Sequence, residues 1–231
     1  MGEKCNRRPT MKRLEVIVEG QTELEFVRGL LSPYFYEKGA IIVSPILLRT
    51  SINSRGGFVN YKHLKDDILR SLHSQNQELI VTTFVDFFRL PISNIPGYDK
   101  WKNECDHSKQ IDMIEKSIKQ DIKDSRFVPY IQKHEFEALL FSSDRGFLKY
   151  YTNDKVQELN KIRYLFPNPE DINTSPQGAP SKRLLSIVPS YEKIIDGNII
   201  ALEIGLETMK EQCPHFSRWL STIEEYFIRL Q

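Results

Sequence analysis

Carboxylates are the residues of this chain best placed to do chemistry. Glu19 directly follows the apolar run Leu14-Glu15-Val16-Ile17-Val18, and Asp86 lies near the end of a longer run over 79–88. Glu135 and Glu137 form an acidic patch beside His134, just after a third apolar run over 127–132. A carboxylate at the end of an apolar strand is costly to bury unless something pairs with it. A divalent cation would do so, and an all-oxygen ligand set suits Mg²⁺ or Mn²⁺. Such a centre activates water and stabilises a pentavalent phosphate, which is the chemistry of phosphodiester hydrolysis. Glu19 could instead act as a general base. Each acid could also merely cap a turn or face solvent. His134 could be a ligand, a general acid or a substrate contact, although a lone histidine is more often a hydrogen-bonded structural residue.

A phosphodiester substrate also needs cations to hold it. Arg55 beside Gly56-Gly57, Arg89 just past Asp86, and Lys182-Arg183 after the long 166–180 stretch are the candidates. The paired glycines could let backbone N–H groups approach a phosphate; an ordinary loop would also use them. Lys182 and Arg183 could equally be a solvated helix start.

Positioning these groups requires strands and helices in alternation. The run over 14–18 is β-branched and nearly continuous, as a buried parallel strand should be. Gly20 permits a sharp exit, Thr22 makes an N-cap, and Glu25 completes a capping box for a helix bearing Leu24, Val27, Leu30 and Leu31. Further strands are predicted over 41–48, 79–88 and 127–132, and further helices over 61–74 and 108–123. This order predicts an α/β fold whose parallel sheet is covered on both faces. In such sheets ligands bind beyond the carboxyl ends of the strands, where Glu19 and Asp86 fall. After about residue 145 the pattern turns helical, with helices expected over 154–164, 181–187, 199–207 and 215–230. The expected organisation is a polar, disordered leader over 1–10, an α/β core over 11–145, and a helical C-terminal extension over 146–231 that packs on the core.

The bulk composition excludes several classes. With 231 residues, 40% hydrophobic and 11% aromatic, the chain can bury a real core. Its 32 basic residues against 31 acidic leave a net charge of +1, so no global basic field attracts nucleic acid and any contact must be local. Cys5, Cys105 and Cys213 are scattered and form no CxxC pair, which argues against a disulfide framework or a zinc ribbon. A Cys213/His215 zinc reading lacks further ligands nearby. No apolar run approaches membrane-spanning length, and the leader has no signal-peptide core, so the expectation is a reducing cytoplasm.

The sequence Glu19-Gly20-Gln21-Thr22-Glu23 after a hydrophobic strand resembles the EGxTE signature of Toprim domains in the OLD-nuclease branch, and Asp86 resembles the first aspartate of the Toprim DxD motif. The chain is similar to a Toprim-like bacterial family of unknown function, often encoded beside AAA/ABC-type ATPases in phage-defence loci. The similarity is carried by VEGQTE (18–23), FVDFFRLP (84–91), YIQKHEFEALLFSSD (130–144), PSKRLLSIVPSYEK (180–193) and CPHFSRWL (213–220). It implies a metal-dependent nuclease with Glu19, Asp86 and Glu137 as catalytic and metal-binding acids and Glu135 as a further ligand. Glu23 and His134 stand beside them. It also implies nucleic acid as substrate, an ATPase partner, no membrane, and a chain that could form a homo-oligomer. The departure is Phe88, which stands where DxD has its second acid. Phe88 could occupy a ligand position or belong to the core. Its presence also supports a second reading, a non-catalytic Toprim-like module that docks on an ATPase or on nucleic acid.

Overall fold

The computed structural model describes residues 11–51, 54–55, 60–90, 92–173 and 178–229, without the side chains of residues 50, 51, 54, 55, 89 and 92. The expected leader over 1–10, Gly56-Gly57 and the side chains of Arg55 and Arg89 lie outside this description. Seven strands follow in chain order. They are β1 (Arg13–Val18), β2 (Ile42–Leu47), β3 (Arg49–Ser51), β4 (Ser54–Arg55), β5 (Leu79–Asp86), β6 (Phe127–Val128) and β7 (Ile131–Gln132). The helices are α1 (Gln21–Phe26), α2 (Ser32–Gly39), α3 (Tyr61–Leu72), α4 (Tyr98–Trp101), α5 (His107–Ile122), α6 (Arg145–Tyr150), α7 (Asn153–Arg163), α8 (Pro180–Ile187), α9 (Ile195–Ile204), α10 (Leu206–Gln212) and α11 (Pro214–Arg229). A π-helical turn, Val27–Leu31, joins α1 to α2.

The main sheet runs β2-β1-β5-β6, with β7 continuing beside β5, and every pairing in it is parallel. It is the α/β sheet flanked by helices that strand–helix alternation predicts. β5 is the middle strand, and all eight of its residues are buried. Successive side chains alternate between faces. Val16, Val18, Ile80 and Phe84 enter one hydrophobic cluster, which also holds Leu184, Ile200, Phe216 and Trp219 from the C-terminal helices. Ile17, Val81 and Val85 enter the other, with Leu64 and Ile68 of α3 and Ile111 and Ile118 of α5. The helices after residue 145 thus complete the covering of one sheet face.

Three local expectations are corrected. The strand expected over 127–132 is split, because Pro129 has no N–H to give to the ladder. Thr83 bridges the break: its hydroxyl donates to the Tyr130 carbonyl at 2.7 Å and accepts from the Tyr130 N–H at 2.9 Å. The Thr22–Glu25 capping box does not form. α1 begins two residues earlier with Gly20 at its N-cap and no side-chain cap, and Thr22 is buried inside the helix. The helix expected over 199–207 breaks at Gly205, whose φ of +80° ends α9 and starts α10.

Candidate functional site

Strand register brings the acids to one end of the sheet. Val18 of β1 pairs with Phe84 of β5, so Glu19 emerges level with Val85, one residue before Asp86. Asp86 itself pairs with Gln132 of β7, and the chain leaving β7 turns at His134 into the 3-10 helix Phe136–Ser142, which carries Glu137. The carboxyl ends of β1, β5 and β7 therefore converge, as the ligand-binding edge of an open α/β sheet does. Glu23 joins them from the first turn of α1. Gly20 makes room for it: a Cβ at residue 20 would stand 2.9 Å from Glu23 Oε2.

These four carboxylates are all buried, with relative exposures of 3% for Glu19, 4% for Glu23, 3% for Asp86 and 0% for Glu137. The ammonium of Lys193, from the segment between α8 and α9, reaches into their midst. Its Nζ lies 3.2 Å from Glu137, 3.6 Å from Asp86 and 3.8 Å from Glu23. Glu19, Gly20, Glu23, Asp86, Lys193 and Ile194 line a cleft of about 270 Å³ over this cluster.

Among the described side chains, four carboxylates share the one ammonium of Lys193. Burial pushes the Asp86 carboxyl well above the usual range; Lys193 opposes this, while Glu23, Glu19 and Glu137 add to it. Burial raises Glu137 likewise, against Lys193 and with Glu135. Lys193 shows the reverse. Its own burial favours the neutral amine, but Asp86, Glu137 and Glu23 outweigh this and hold it protonated. Asp86 Oδ1 and Glu137 Oε1 are buried and accept no hydrogen bond. Oxygen-only donors and two orphaned carboxylate oxygens fit a hard divalent cation. The acids nonetheless do not form a closed cage. Among the described residues only Asp112, Glu115 and His215 bring three ligand atoms within 4.8 Å of one another. That trio is already satisfied, by Arg218 against Asp112 at 2.5 Å and His215 against Glu115 at 3.1 Å.

Among the remaining described candidates, Glu135, His134, Arg183 and Phe88 make other contacts. Glu135 accepts a hydrogen bond from the Ser181 backbone N–H at 3.1 Å and so caps the start of α8. His134 is buried in the left-handed region at φ +67°, with its Nδ1 unpartnered. Burial, His107 and Lys133 push its pKa down to about 3, so it is neutral. Arg183 donates from Nε to the Gly178 carbonyl at 2.7 Å and lays its guanidinium over the Phe166 ring. Lys182 is exposed on α8, and no ion pair joins either residue to the acids among the described residues. Phe88 is neither core nor an inward ligand position: it is 39% exposed and stacks on His134.

Lys193 is the functional residue that sequence reasoning missed. It ends the stretch PSYEK, in a segment without periodicity. The signal available was indirect: four acids converging on one sheet edge call for a cation from elsewhere in the chain. Chemically, the arrangement offers acids to bind a cation or accept a proton, and an ammonium to hold an anion.

No curated protein matches the chain. Among solved structures, it is similar to the C-terminal region of the Xanthomonas campestris pv. campestris OLD protein phased with mercury. The two share 15% identity over 96% of this chain and 98% of that one, at a TM-score of 0.42. The same region phased with platinum matches at 13% identity over 94% and 97%, with a TM-score of 0.33. Among the described residues no helix is long and apolar enough to cross a membrane. The family described as a domain of unknown function (DUF4276) matches residues 18–224, from the end of β1 into α11, and the chain belongs to that family.

Proposed function

We propose that this chain is a metal-dependent phosphodiesterase, a nuclease of Toprim type, acting in the cytoplasm with an AAA/ABC-type ATPase as its partner in defence against phage. The observation that carries the reaction is the set of four buried carboxylates gathered around Lys193 at the carboxyl edge of a parallel sheet. The partner and the defence role rest on the sequence resemblance alone, and the compartment on the composition and its scattered cysteines.

Glu19, Asp86 and Glu137 would hold a Mg²⁺ or Mn²⁺ ion, with Glu23 beside them. When bound, the ion supplies Lewis acidity and lowers the pKa of a bound water. The chain's own residues do the rest. Lys193, kept protonated by its neighbours, binds a non-bridging phosphate oxygen and offsets the charge that builds on it. Where Asp86 and Glu137 alone hold the ion, Glu19, which lines the cleft, takes the proton of the attacking water instead. Burial on both sheet faces fixes the strand ends, so the acids stay in place without a ligand.

The test is cleavage of single- and double-stranded DNA and RNA in Mg²⁺ or Mn²⁺, with and without the partner ATPase. Glu19→Ala should fold and lose cleavage. A well-folded Glu19→Ala that cleaves at the wild-type rate would end this reading. One observation favours a second reading, a module that binds without cutting: Lys193 already compensates part of the acidic charge, and Phe88 supplies no second ligand. Calorimetric titration with Mn²⁺ separates the two, since the binding module would take up no ion.

A further inference from the structure

The segment just beyond Asp86 carries an aromatic group that the fold does not use. Phe88 is two residues past Asp86, so their Cα atoms are at most about 7 Å apart. Its ring is 39% exposed, whereas its neighbour Phe87 is 7% exposed. One face of the Phe88 ring is covered by His134, with ring centres 5.0 Å apart and planes 22° apart. His134 in turn meets His107 edge-on at 5.4 Å. His107 is exposed and His134 is buried, so a short aromatic row runs past the buried His134 and ends on the part-exposed Phe88 ring.

The row is held by strain. His134 keeps a left-handed φ of +67°, an uncommon state for a non-glycine residue. Its carbonyl accepts a hydrogen bond from the Phe88 N–H at 3.5 Å, which ties the end of β5 to the turn after β7. Those two segments also carry Asp86 and Glu137. Strained residues that survive in a fold cluster at ligand sites. His134 Nδ1 is buried without a hydrogen-bond partner, so no bond at that nitrogen fixes the ring.

The electrostatics say what kind of contact is needed. The whole chain carries only +1 in formal charge. Long-range attraction for a polyanion is weak on such a chain, so a contact that does not depend on charge has affinity to add. Stacking of a base on an aromatic ring is such a contact. A base inside a duplex has both faces covered by its neighbours; an unpaired base has a face to offer.

We propose that Phe88, backed by His134, is a stacking platform for an unpaired nucleobase, and that the acidic cleft takes single-stranded nucleic acid. The proposal deepens the phosphodiesterase reading and rests on it for the reaction, but the binding it describes is measurable without cleavage.

The experiment uses the full chain in Ca²⁺. Its probes are a short single-stranded oligonucleotide carrying one fluorescent adenine analogue, in ribo and deoxyribo forms, and the blunt duplex of the same sequence. The single strand should bind about tenfold or more tightly than the duplex, and its fluorescence should be quenched on binding. Phe88→Ala should weaken single-strand binding by about tenfold and abolish the quench, while Phe88→Trp should keep both. Because Phe88 is partly exposed, Phe88→Ala should fold, which thermal unfolding verifies. Equal single-strand affinity in Phe88→Ala and wild type, tighter binding of duplex, or no binding of either probe would each overturn the platform. A wild type that binds the single strand through Phe88 yet cleaves nothing in Mg²⁺ or Mn²⁺ would refute the nuclease reading and leave the platform standing. Cleavage that favours duplex and is indifferent to Phe88→Ala would do the opposite.

Discussion

Replacing Lys193 by methionine isolates the feature on which the candidate site turns. Methionine keeps most of the length and apolar body of lysine and removes only the charge. At an effective dielectric of about 20, each contact of the ammonium with Glu137, Asp86 and Glu23 at 3.2–3.8 Å carries a gross attraction of about 4–5 kcal/mol. Dehydrating the ammonium takes much of that back, and removing one member of a buried ion pair costs about 3–5 kcal/mol in measured cases. The Lys193 side chain is 30% exposed, which puts the expected loss at the low end, about 3 kcal/mol. For a chain of this size that is a fall in Tm of about 6–12 °C. The deficit should shrink on acidification. Without the ammonium, the Asp86 and Glu137 carboxyls rise further above their ordinary range in the folded state. A group whose folded pKa is raised contributes stability that is full below the unfolded pKa and is lost as pH rises through the folded one. The variant should therefore lose its stability as pH climbs through the raised carboxyl pKa values. A divalent cation should recover part of the loss, about 2.7 kcal/mol at a concentration one hundred times its Kd, and should raise the Tm of the variant more than that of wild type. Scanning fluorimetry at several pH values, with EDTA or Mn²⁺, reads all of this. A variant as stable as wild type at neutral pH, or one whose deficit widens on acidification, would show that Lys193 is not the counter-charge of these acids.

Two further outcomes follow from His134 and Phe88. His134 has its pKa pushed down to about 3 from an ordinary 6.5, so between those values the unfolded chain takes up a proton that the folded chain refuses. Stability should fall as pH drops below 6.5, by up to about 1.4 kcal/mol per pH unit. His134→Asn, which tolerates the left-handed backbone, should flatten that slope in urea titrations at pH 4–7, and an unchanged slope would show that another group sets it. Phe88→Asp should leave the fold intact, since Phe88 is 39% exposed, and should leave Mn²⁺ affinity in calorimetry unchanged, because the position does not point inward at Asp86. Tighter Mn²⁺ binding in that variant would show that residue 88 reaches the cation after all.

Much of the architecture was legible because it depends on patterns that reach over several residues. β1 and β5 announce themselves by unbroken apolar runs, and the acid at the end of each follows from where the run stops. The converging of Glu19, Glu23, Asp86 and Glu137 could be expected from a parallel sheet whose strand ends share one edge. Glu135 and Glu137 could not be told apart, because their roles depend on how the chain turns after His134: Glu137 goes inward, while Glu135 goes to the start of α8. Pro129 was visible, but Thr83 hides the damage by supplying both hydrogen bonds at the break, so the split in the strand looked continuous. The N-cap of α1 was misplaced by one turn signal, since Gly20 suffices to start the helix and Thr22 is buried. Lys193 left no trace of its role because a loop residue's position in space depends on everything folded before it.

That last dependence has a temporal side. All four acids lie within the first 137 residues, and the cation that holds them together arrives at residue 193. While the chain is being made, the carboxylates are all present before the ammonium that pairs with them. The sheet edge becomes a site only when the segment between α8 and α9 returns to close it. A nascent or clipped chain that ends before that segment would present the acids without the ammonium that organises them. The order of synthesis thus leaves these acids without that counter-charge until residue 193 has been made.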